Sequence, residues 1–226
     1  MYHHLSHHYD RIFPENTVLK NLILSYAKGG RALDLGCGTG RMANALYENY
    51  DDVIGVDLDL GMIEVAAKRY PHVTWVQADM VAFLETSMPF DTILCLGNTL
   101  PHLDVYRLNQ LVEKIARKLK PDGHFFIQLL NYDSIMSDKP RFLKTIETAD
   151  CVFVREYRYQ PHWIDFTTYL IGDGTVQKET NRIHPYRKKD LEIILESHHL
   201  HYEFMETSNP SNTHYIIHVT HEQKEG

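Results

Sequence analysis

The stretch Arg31–Arg41, RALDLGCGTGR, decides the fold of this chain. Its apolar run contains Asp34, and glycine then occupies alternate positions at Gly36, Gly38 and Gly40. This order predicts a buried strand that ends in a glycine-rich loop, with a helix after it. Because glycine lets backbone groups approach a ligand closely, the loop predicts a cofactor site at the end of a first strand.

Two common nucleotide-binding loops do not match this stretch. A dinucleotide fingerprint, Gly-x-Gly-x-x-Gly counted from Gly36, needs its third glycine at position 41, where the chain has Arg41. A P-loop needs lysine and then serine or threonine after its last glycine, whereas Arg41 and Met42 follow Gly40. The glycines therefore indicate a different cofactor.

Beyond this stretch, apolar runs rich in β-branched residues alternate with segments of helical period as far as Asn131. The alternation predicts an α/β fold with a doubly wound, Rossmann-like sheet. The predicted strands are RALDLG, DVIGVD, HVTWVQAD, FDTILCL and HFFIQLLN. The predicted helices are RMANALYENY, LGMIEVAAKRY and YRLNQLVEKIARKL, and KPDG is predicted to turn the chain into the fifth strand.

The pattern changes after Asn131. Three segments alternate apolar with polar residues between turn residues, and they predict an inserted antiparallel β meander: CVFVREYRYQ, HWIDFTTYLI and GTVQKETNRI. RKKDLEIILESHH then predicts an amphipathic helix, and HYEFMETS and THYIIHVTHE predict two closing strands. The predicted main sheet therefore has seven strands.

The composition limits the possible functions. The 226 residues carry 30 acidic and 23 basic side chains, and the formal charge of −7 repels a nucleic-acid backbone. Cys37, Cys95 and Cys151 lie far apart without a Cys-x-x-Cys pair, so neither a disulfide framework nor a zinc site is predicted. The apolar runs are too short to cross a membrane, and we find no signal segment. We expect a cytoplasmic monomer or homodimer that binds neither nucleic acid nor membrane.

The motif Asp-x-Gly-x-Gly-x-Gly at positions 34–40 resembles that of the class I S-adenosylmethionine-dependent methyltransferases. The resemblance implies that the cofactor is S-adenosylmethionine, which carries no phosphate. It also implies that Gly36, Cys37 and Gly38 surround this cofactor, and that Asp34 faces the cationic amino end of its methionine part.

Two further acids follow the next two strands, where the resemblance places contacts to the same cofactor. Asp57 ends the second strand, and its carboxylate can accept both hydrogens of a ribose diol. Asp79 resembles the family's acid that accepts from the adenine amino group, and Met80 offers its backbone. Leu58 and Met62 are predicted to line the adenine pocket. The alternative for either acid is a solvated loop residue.

The loop LGNTLPHL, at positions 96–103, follows the fourth strand, where ligands bind in open α/β sheets. It lacks the Asn/Asp-Pro-Pro-aromatic motif of enzymes that methylate amino groups of nucleobases or glutamine, and the Pro-Cys of cytosine C5 enzymes. It resembles the corresponding loop of glycine N-methyltransferase and its small-molecule relatives. We predict that Asn98 orients the acceptor and that His102 takes its proton. The alternatives are that His102 only packs in a helical turn, and that Thr99 or Asp104 caps the next helix.

The same resemblance continues in NYDSI at 131–135, in HPYRKKDLEIILE and in YIIHV. Tyr9, in HHYDRIF, resembles the N-terminal aromatic segment that closes over the cofactor as a lid; the alternative is a core tyrosine. Leu96 completes the predicted cofactor contacts. The implied organisation is an N-terminal helical lid (1–30), a cofactor-binding Rossmann-like core (31–135), an antiparallel insertion that caps the acceptor (136–186) and the C-terminal part of the core (187–226).

One position departs from the resemblance. Glycine N-methyltransferase has an arginine directly before NYD that grips the substrate carboxylate, and this chain has Leu130 there. A leucine offers no donor, and a buried carboxylate without a partner is costly. We therefore expect an acceptor without a carboxylate at that position, and poor activity on glycine, unless Arg155 or Arg158 of the meander compensates.

Methyl transfer from a sulfonium requires an aligned acceptor but no acid for the leaving thioether. The predicted function is S-adenosylmethionine-dependent methylation of a small polar molecule, at nitrogen. No metal site is predicted, because Asn131 and Asp133 give no complete ligand set and the histidine-rich segment at 3–8 is typical of a solvated terminus. A non-catalytic cofactor-binding module and a protein methyltransferase are the alternatives.

Overall fold

The computed structural model describes residues 5–6, 8–205 and 213–222. The strands, in chain order, are β1 (Arg31–Leu35), β2 (Asp52–Asp57), β3 (Thr74–Gln77), β4 (Phe90–Cys95), β5 (Leu119–Leu130), β6 (Ile146–Glu147), β7 (Val152–Tyr159), β8 (Ile164–Gly172), β9 (Thr175–Ile183), β10 (Leu200–Met205) and β11 (His214–His221). Seven of them form one sheet in the order β10-β11-β5-β4-β1-β2-β3, in which β11 runs antiparallel to both neighbours. The predicted α/β fold and seven-stranded sheet are confirmed.

The helices are α1 (Tyr9–Ile12), α2 (Thr17–Leu24), α3 (Arg41–Leu46), α4 (Leu60–Arg69), α5 (Met80–Thr86), α6 (Val105–Lys118), α7 (Tyr132–Asp138) and α8 (Lys188–Ser197). Five of them begin at an Asp or Asn whose side-chain oxygen accepts from a backbone N–H of the first turn. Asn16 caps α2 in this way, and the other four helices are α4, α5, α6 and α7. The capping residues of these four are Asp59, Asp79, Asp104 and Asn131. Each stands just beyond a strand or the loop that follows it, so the caps collect at the carboxyl edge of the sheet.

Helices cover both faces of the main sheet, because the strands are apolar on both sides. In β1, Leu33 and Leu35 face the core formed with α5, α6 and α8, whereas Ala32 faces the core formed with α2 and α3. Phe126 of β5 faces the second core, and its neighbour Phe125 faces the first. This double coverage leaves the carboxyl ends of the parallel strands as the open edge where a ligand can bind.

Two features differ from the sequence-based expectations. KPDG was expected to be a turn before the fifth strand, but it lies within β5, which begins at Leu119. The pairing with β4 is irregular there, because Phe90 pairs with Leu119 whereas Thr92 pairs with His124. The segment after β5 forms the short helix α7, because Asn131 caps it by accepting from the backbone of Ser134. Residues 3, 4 and 7 of the histidine-rich segment and 206–208 of the strand predicted from HYEFMETS lie outside the described residues.

The inserted meander forms a second sheet in the order β6-β7-β8-β9, antiparallel throughout. The prediction of an antiparallel insertion is confirmed, with the two-residue β6 as an addition. Just after β9, His184 donates its backbone N–H to the carbonyl of Pro101 at 2.7 Å, and the Tyr186 hydroxyl donates to the carbonyl of Leu103 at 2.8 Å. The end of the insertion is therefore tied to the loop that follows β4. No helix among the described residues is long and apolar enough to span a membrane.

Candidate active site

A cavity of about 200 Å³ lies at the carboxyl edge of the main sheet. Ten of its lining residues belong to the predicted set: Tyr9, Gly36, Gly38, Asp57, Leu58, Met62, Asp79, Met80, Asn98 and His102. Seven other lining residues were not among those predicted for the site: Val56, Asp59, Ala78, Gly97, Thr99, Leu103 and Arg107. The fold thus brings the ends of four strands and the N-terminal helix α1 to one site.

The glycine loop forms the floor of this cavity. Gly36 and Gly38 have left-handed backbone angles, with φ of +71° and +53°. A Cβ on Gly36 would lie 2.5 Å from Cγ2 of Thr99, so a side chain there would collide with the loop after β4. At Gly38 the atom nearest to such a Cβ would be Cε1 of Tyr9, 3.8 Å away. The collision at Gly36 and the left-handed backbone at both positions therefore favour glycine in this loop.

Asp57 is held in place by the loop that it faces. Its Oδ2 accepts from the backbone N–H of Gly38 at 2.8 Å, and its Oδ1 accepts from that of Asp59 at 2.9 Å. Burial raises the pKa of this carboxyl, while the two backbone hydrogen bonds act in the opposite direction. Each oxygen can accept a further hydrogen bond, so the carboxylate is oriented to receive two donors from the cavity.

Asp34 lies deeper than Asp57 and does not line the cavity. Only 3% of its surface is exposed. Burial raises its pKa to about 7, and the charge of Asp57 acts in the same direction. A carboxyl in this position changes its protonation near neutral pH and responds to any positive charge brought into the loop.

Two other predicted cofactor contacts also lie outside the cavity wall. The Sγ atom of Cys37 points toward β2, where a Cβ built on Gly55 would lie 3.1 Å from it. Burial raises the pKa of this thiol, so it is a packing group rather than a reactive one. The carbonyl of Leu96 accepts from the Thr99 hydroxyl at 2.6 Å and shapes the loop after β4.

The end of the cavity near β3 combines an ion pair with apolar surface. Asp79 accepts from Arg107 Nη2 at 2.5 Å through Oδ2, while its Oδ1 caps α5. Asp79 is therefore a helix cap and a cavity residue at once. Met62 is buried and Leu58 is 60% exposed, so the apolar surface runs from the interior to the rim. Apolar side chains and the Asp79 carboxylate therefore lie side by side at this end of the cavity.

Asn98 bridges two segments at the other end of the cavity. Its Oδ1 accepts from the backbone N–H of Leu130 at 3.1 Å, and its Nδ2 donates to the hydroxyl of the buried Tyr132 at 3.0 Å. Its φ of +66° is unusual for a residue other than glycine. Strained backbone of this kind is retained where the surrounding contacts require it, and it is frequent in functional sites.

His102 ends a 3₁₀ turn, Leu100–His102, that lies between β4 and α6. Burial lowers the pKa of its imidazole to about 4, so the ring is neutral at pH 7. An imidazole with so low a pKa can accept a hydrogen bond but is a weak base. This property favours an orienting role over a general-base role. Asp104 caps α6 by accepting from the backbone of Arg107, whereas the Thr99 hydroxyl bonds within its own loop.

The N-terminal segment is attached to the glycine loop by an acid that the sequence analysis did not single out. Asp10 pairs with Arg41 and Arg69 and accepts from the Thr39 hydroxyl at 2.6 Å. These contacts hold α1 beside the loop and place Tyr9 in the cavity wall. Arg41, which stands where a dinucleotide fingerprint has its third glycine, thus fastens the N-terminal segment.

The residues missed by the sequence analysis give no strong local signal. Arg107 follows the cap Asp104 by three positions, which resembles an ordinary first turn of a helix. Val56 and Ala78 are typical strand-end residues. Within the described residues, no group of three or more His, Cys, Asp or Glu side chains is arranged to hold a metal ion.

Part of the main-sheet domain matches a known protein family. Residues 32–123 match the family model of a methyltransferase domain. Among curated proteins, the chain is similar to the trans-aconitate 2-methyltransferase of Rhizobium etli, at 35% identity over 125 residues. That match covers 53% of this chain and 45% of the relative, so the chain spans less than half the length of that protein.

Solved structures extend the likeness of the fold to almost the whole chain. An S-adenosylmethionine-dependent methyltransferase from Clostridium acetobutylicum superposes with a TM-score of 0.82 at 17% identity, covering 98% of this chain and 99% of that one. The sugar N-methyltransferase KedS8 from Streptoalloteichus superposes with a TM-score of 0.72 at 19% identity, covering 93% and 88% of the two chains. At such identities the superpositions establish the fold, including the inserted sheet.

Proposed function

We propose that this chain, which carries a class I S-adenosylmethionine-dependent methyltransferase domain, transfers the methyl group of that cofactor to a nitrogen atom of a small polar molecule. The observation that carries the proposal is one continuous cavity with a cofactor-type end at Asp57 and a strained, polar end at Asn98. A cavity with both ends suits a donor and an acceptor aligned for a displacement reaction.

The cofactor end has a donor or acceptor for each part of S-adenosylmethionine. The two oxygens of Asp57 accept from the ribose hydroxyls, and Asp79 accepts from the adenine amino group. The glycine loop receives the methionine part, and the charge of its amino group acts on the buried Asp34. The segment 1–30 serves as a lid, with Tyr9 lying over the loop.

The acceptor end aligns a nitrogen lone pair with the methyl group. Asn98 holds this wall in position, and the neutral His102 accepts a hydrogen bond from the amine. The insertion at 136–186 closes the acceptor side through its contacts with the loop after β4. The chemistry is an in-line displacement in which the nitrogen–carbon bond forms as the sulfur–carbon bond breaks, and the thioether leaves without protonation.

Nitrogen is favoured as the accepting atom by two findings. The loop LGNTLPHL resembles that of glycine N-methyltransferase, and KedS8, which shares the fold with its insertion, is a sugar N-methyltransferase. The curated relative acts on trans-aconitate, so a carboxyl oxygen is the second candidate. A module that binds the cofactor without catalysis would need only the cofactor end of the cavity. The polar wall at the acceptor end therefore counts against this alternative.

Isotope transfer tests the proposal. The protein is incubated with S-adenosylmethionine that carries a ¹³C-methyl group and with matched pairs of small amines and alcohols, and products are detected by mass spectrometry. We expect labelled N-methyl products from the amines. Labelled products from alcohols or acids alone would contradict methylation at nitrogen. Tight cofactor binding without any labelled product would support the non-catalytic module.

A further inference from the structure

Two consecutive residues of the cavity wall have a left-handed backbone. Gly97 and Asn98, in the loop after β4, have φ of +68° and +66°, and both line the cavity. Glycine adopts this conformation at little cost, whereas asparagine does so much less readily. A loop that contains such a pair keeps its shape because contacts from outside hold it.

Gln128 of β5 supplies a contact to each residue of this pair. Its side-chain Oε1 accepts from the backbone N–H of Gly97 at 3.0 Å. Its backbone carbonyl accepts from the backbone N–H of Asn98 at 3.1 Å. Because a backbone N–H can only donate, the bond to Gly97 also fixes which end of the Gln128 amide faces the loop. One residue of the sheet therefore binds two successive N–H groups of the cavity wall.

Gln128 is a polar residue in an apolar part of its strand. It lies in FFIQLL, at positions 125–130, and Phe126 on the same face of β5 is buried. The Gln128 side chain is half-buried, a place where an apolar residue would gain more from burial. An apolar residue offers no acceptor to the Gly97 N–H, however. The contact with the loop therefore accounts for a glutamine at this position.

The loop that Gln128 holds carries the polar group at the acceptor end of the cavity. The Asn98 side chain accepts from the backbone N–H of Leu130, two residues further along β5, and donates to the Tyr132 hydroxyl. Both the backbone and the side chain of Asn98 are thus attached to the segment 128–132. Without the Gln128 side chain, the Gly97 N–H loses this acceptor and the left-handed pair loses one of its two backbone anchors.

We propose that Gln128 is a positioning residue for methyl transfer, which acts through Gly97 to keep the Asn98 amide aligned at the acceptor end. The proposal rests on the proposed function, because Asn98 is the group assigned there to hold the acceptor wall. Gln128 lies outside the residues that line the cavity. Its loss should therefore change the alignment of the acceptor and leave the affinity for the cofactor unchanged.

Turnover of ethanolamine and glucosamine tests this assignment. Gln128→Leu should lower kcat about 3- to 10-fold, because it removes one hydrogen bond, while the affinity for S-adenosylmethionine changes less than about twofold. Gln128→Glu keeps an acceptor oxygen and should restore kcat to within about twofold of wild type. The control is Gln110→Leu, which loses only an exposed bond to the Tyr106 hydroxyl.

A double variant distinguishes positioning from a general structural effect. Glycine adopts the left-handed backbone without strain, so Asn98→Gly should make the Gln128 side chain dispensable. Adding Gln128→Leu to Asn98→Gly should therefore lower kcat by less than about twofold. Losses that multiply in the double variant, or a fall in cofactor affinity that matches the fall in kcat, would overturn the proposal.

A spectroscopic measurement decides the same question without turnover and separates the two proposals. The side-chain amide of Asn98 gives a pair of ¹H–¹⁵N signals in protein loaded with S-adenosylhomocysteine, and their absence from Asn98→Gly identifies them. Gln128→Leu should shift this pair, whereas Gln110→Leu should leave it in place. If the pair shifts while wild type methylates no amine, Gln128 positions Asn98 and methylation at nitrogen is wrong. If the pair is unchanged in Gln128→Leu, the Gln128 proposal is overturned.

Discussion

On the proposed cofactor side of the cavity, the glycine loop meets the end of the neighbouring strand; on the proposed acceptor side, the contacts come from segments farther apart in the chain. Gly38 and Asp57, on the proposed cofactor side, are separated by 19 positions and joined by one hydrogen bond. Asn98 is separated from Leu130 by 32 positions, and the insertion joins this side only through its own tertiary contacts. The contact between the glycine loop and Asp57 is therefore local, whereas the wall around Asn98 is assembled from distant segments.

This difference has a physical basis. A loop between adjacent parallel strands is positioned by the sheet register, so a short motif is enough to build a cofactor site. An acceptor site must fit one substrate, and it can be changed by altering an inserted element without disturbing the sheet. We expect substitutions on the two sides to have separable effects, on cofactor affinity for one side and on turnover for the other.

The largest expected effect is on cofactor binding. Asp57→Ala removes the two acceptor oxygens proposed for the ribose and the anchor of Gly38, so S-adenosylmethionine should bind about 10- to 150-fold more weakly, a loss of about 1.5 to 3 kcal/mol. Titration calorimetry measures this loss, with Asp51→Ala near the opposite end of β2 as the control. Unchanged affinity in Asp57→Ala, or saturable binding of NAD at the site, would contradict the proposal that this side of the cavity binds S-adenosylmethionine.

The second effect should appear in turnover rather than in cofactor affinity. Asn98→Gly keeps the left-handed backbone but loses both side-chain hydrogen bonds, so the acceptor wall loosens and kcat should fall about 10- to 100-fold. Affinity for S-adenosylmethionine, measured by calorimetry, should change less than about threefold. A loss of affinity comparable to the loss of kcat would show that the two sides are not separable.

A third effect follows from the pKa of Asp34, which burial raises to about 7 in the folded protein from about 3.9 when unfolded. The protonated form is therefore favoured on folding, so this stabilising contribution is complete below about pH 3.9 and is lost as pH rises toward about 7. Asp34→Asn does not titrate. Between about pH 3.9 and pH 7, wild type should lose about 1.4 kcal/mol in its free energy of unfolding per pH unit relative to Asp34→Asn. Above about pH 7 the difference between the two proteins should stay constant.

Urea denaturation of the cofactor-free proteins at pH 5, 6, 7 and 8 measures this difference. A constant difference between wild type and Asp34→Asn across the series would mean that Asp34 does not titrate in this range. The family resemblance groups Asp34 with the predicted cofactor residues, so its titration would show whether the buried carboxyl beneath the glycine loop changes its charge in this pH range.

The smallest effect concerns the attachment of the N-terminal segment. Asp10→Asn removes the ion pairs with Arg41 and Arg69 but keeps an acceptor for Thr39. Partly exposed pairs are worth about 0.5 to 1 kcal/mol, so S-adenosylhomocysteine should dissociate about two- to fivefold faster. Stopped-flow fluorescence measures the rate, with Glu15→Gln, which loses only the pair with Lys20, as the control. An unchanged rate in Asp10→Asn would count against the lid.

Predictability from the sequence follows the same division. The strands and the position of Asp57 at the edge of the sheet could be predicted because their signals are local: alternating apolar runs, a glycine loop, and an acid at the end of the next strand. Arg107 and Asp10 could not be assigned, because each acts on a partner at least 28 positions away. The continuous β5 was not predicted, because a proline–glycine segment gives the same local signal in a turn and in a strand irregularity.

By itself, the sequence determined the α/β sheet, the glycine loop at the end of its first strand and the presence of an antiparallel insertion, since hydrophobic period and turn chemistry operate over a few residues. Only the tertiary structure decided that Cys37 and Leu96 lie outside the cavity wall and that burial lowers the pKa of the His102 imidazole. Those properties depend on burial and on contacts between distant segments. Burial and long-range contacts arise only when the sheets and helices pack together, and for that reason no short stretch of sequence contains them.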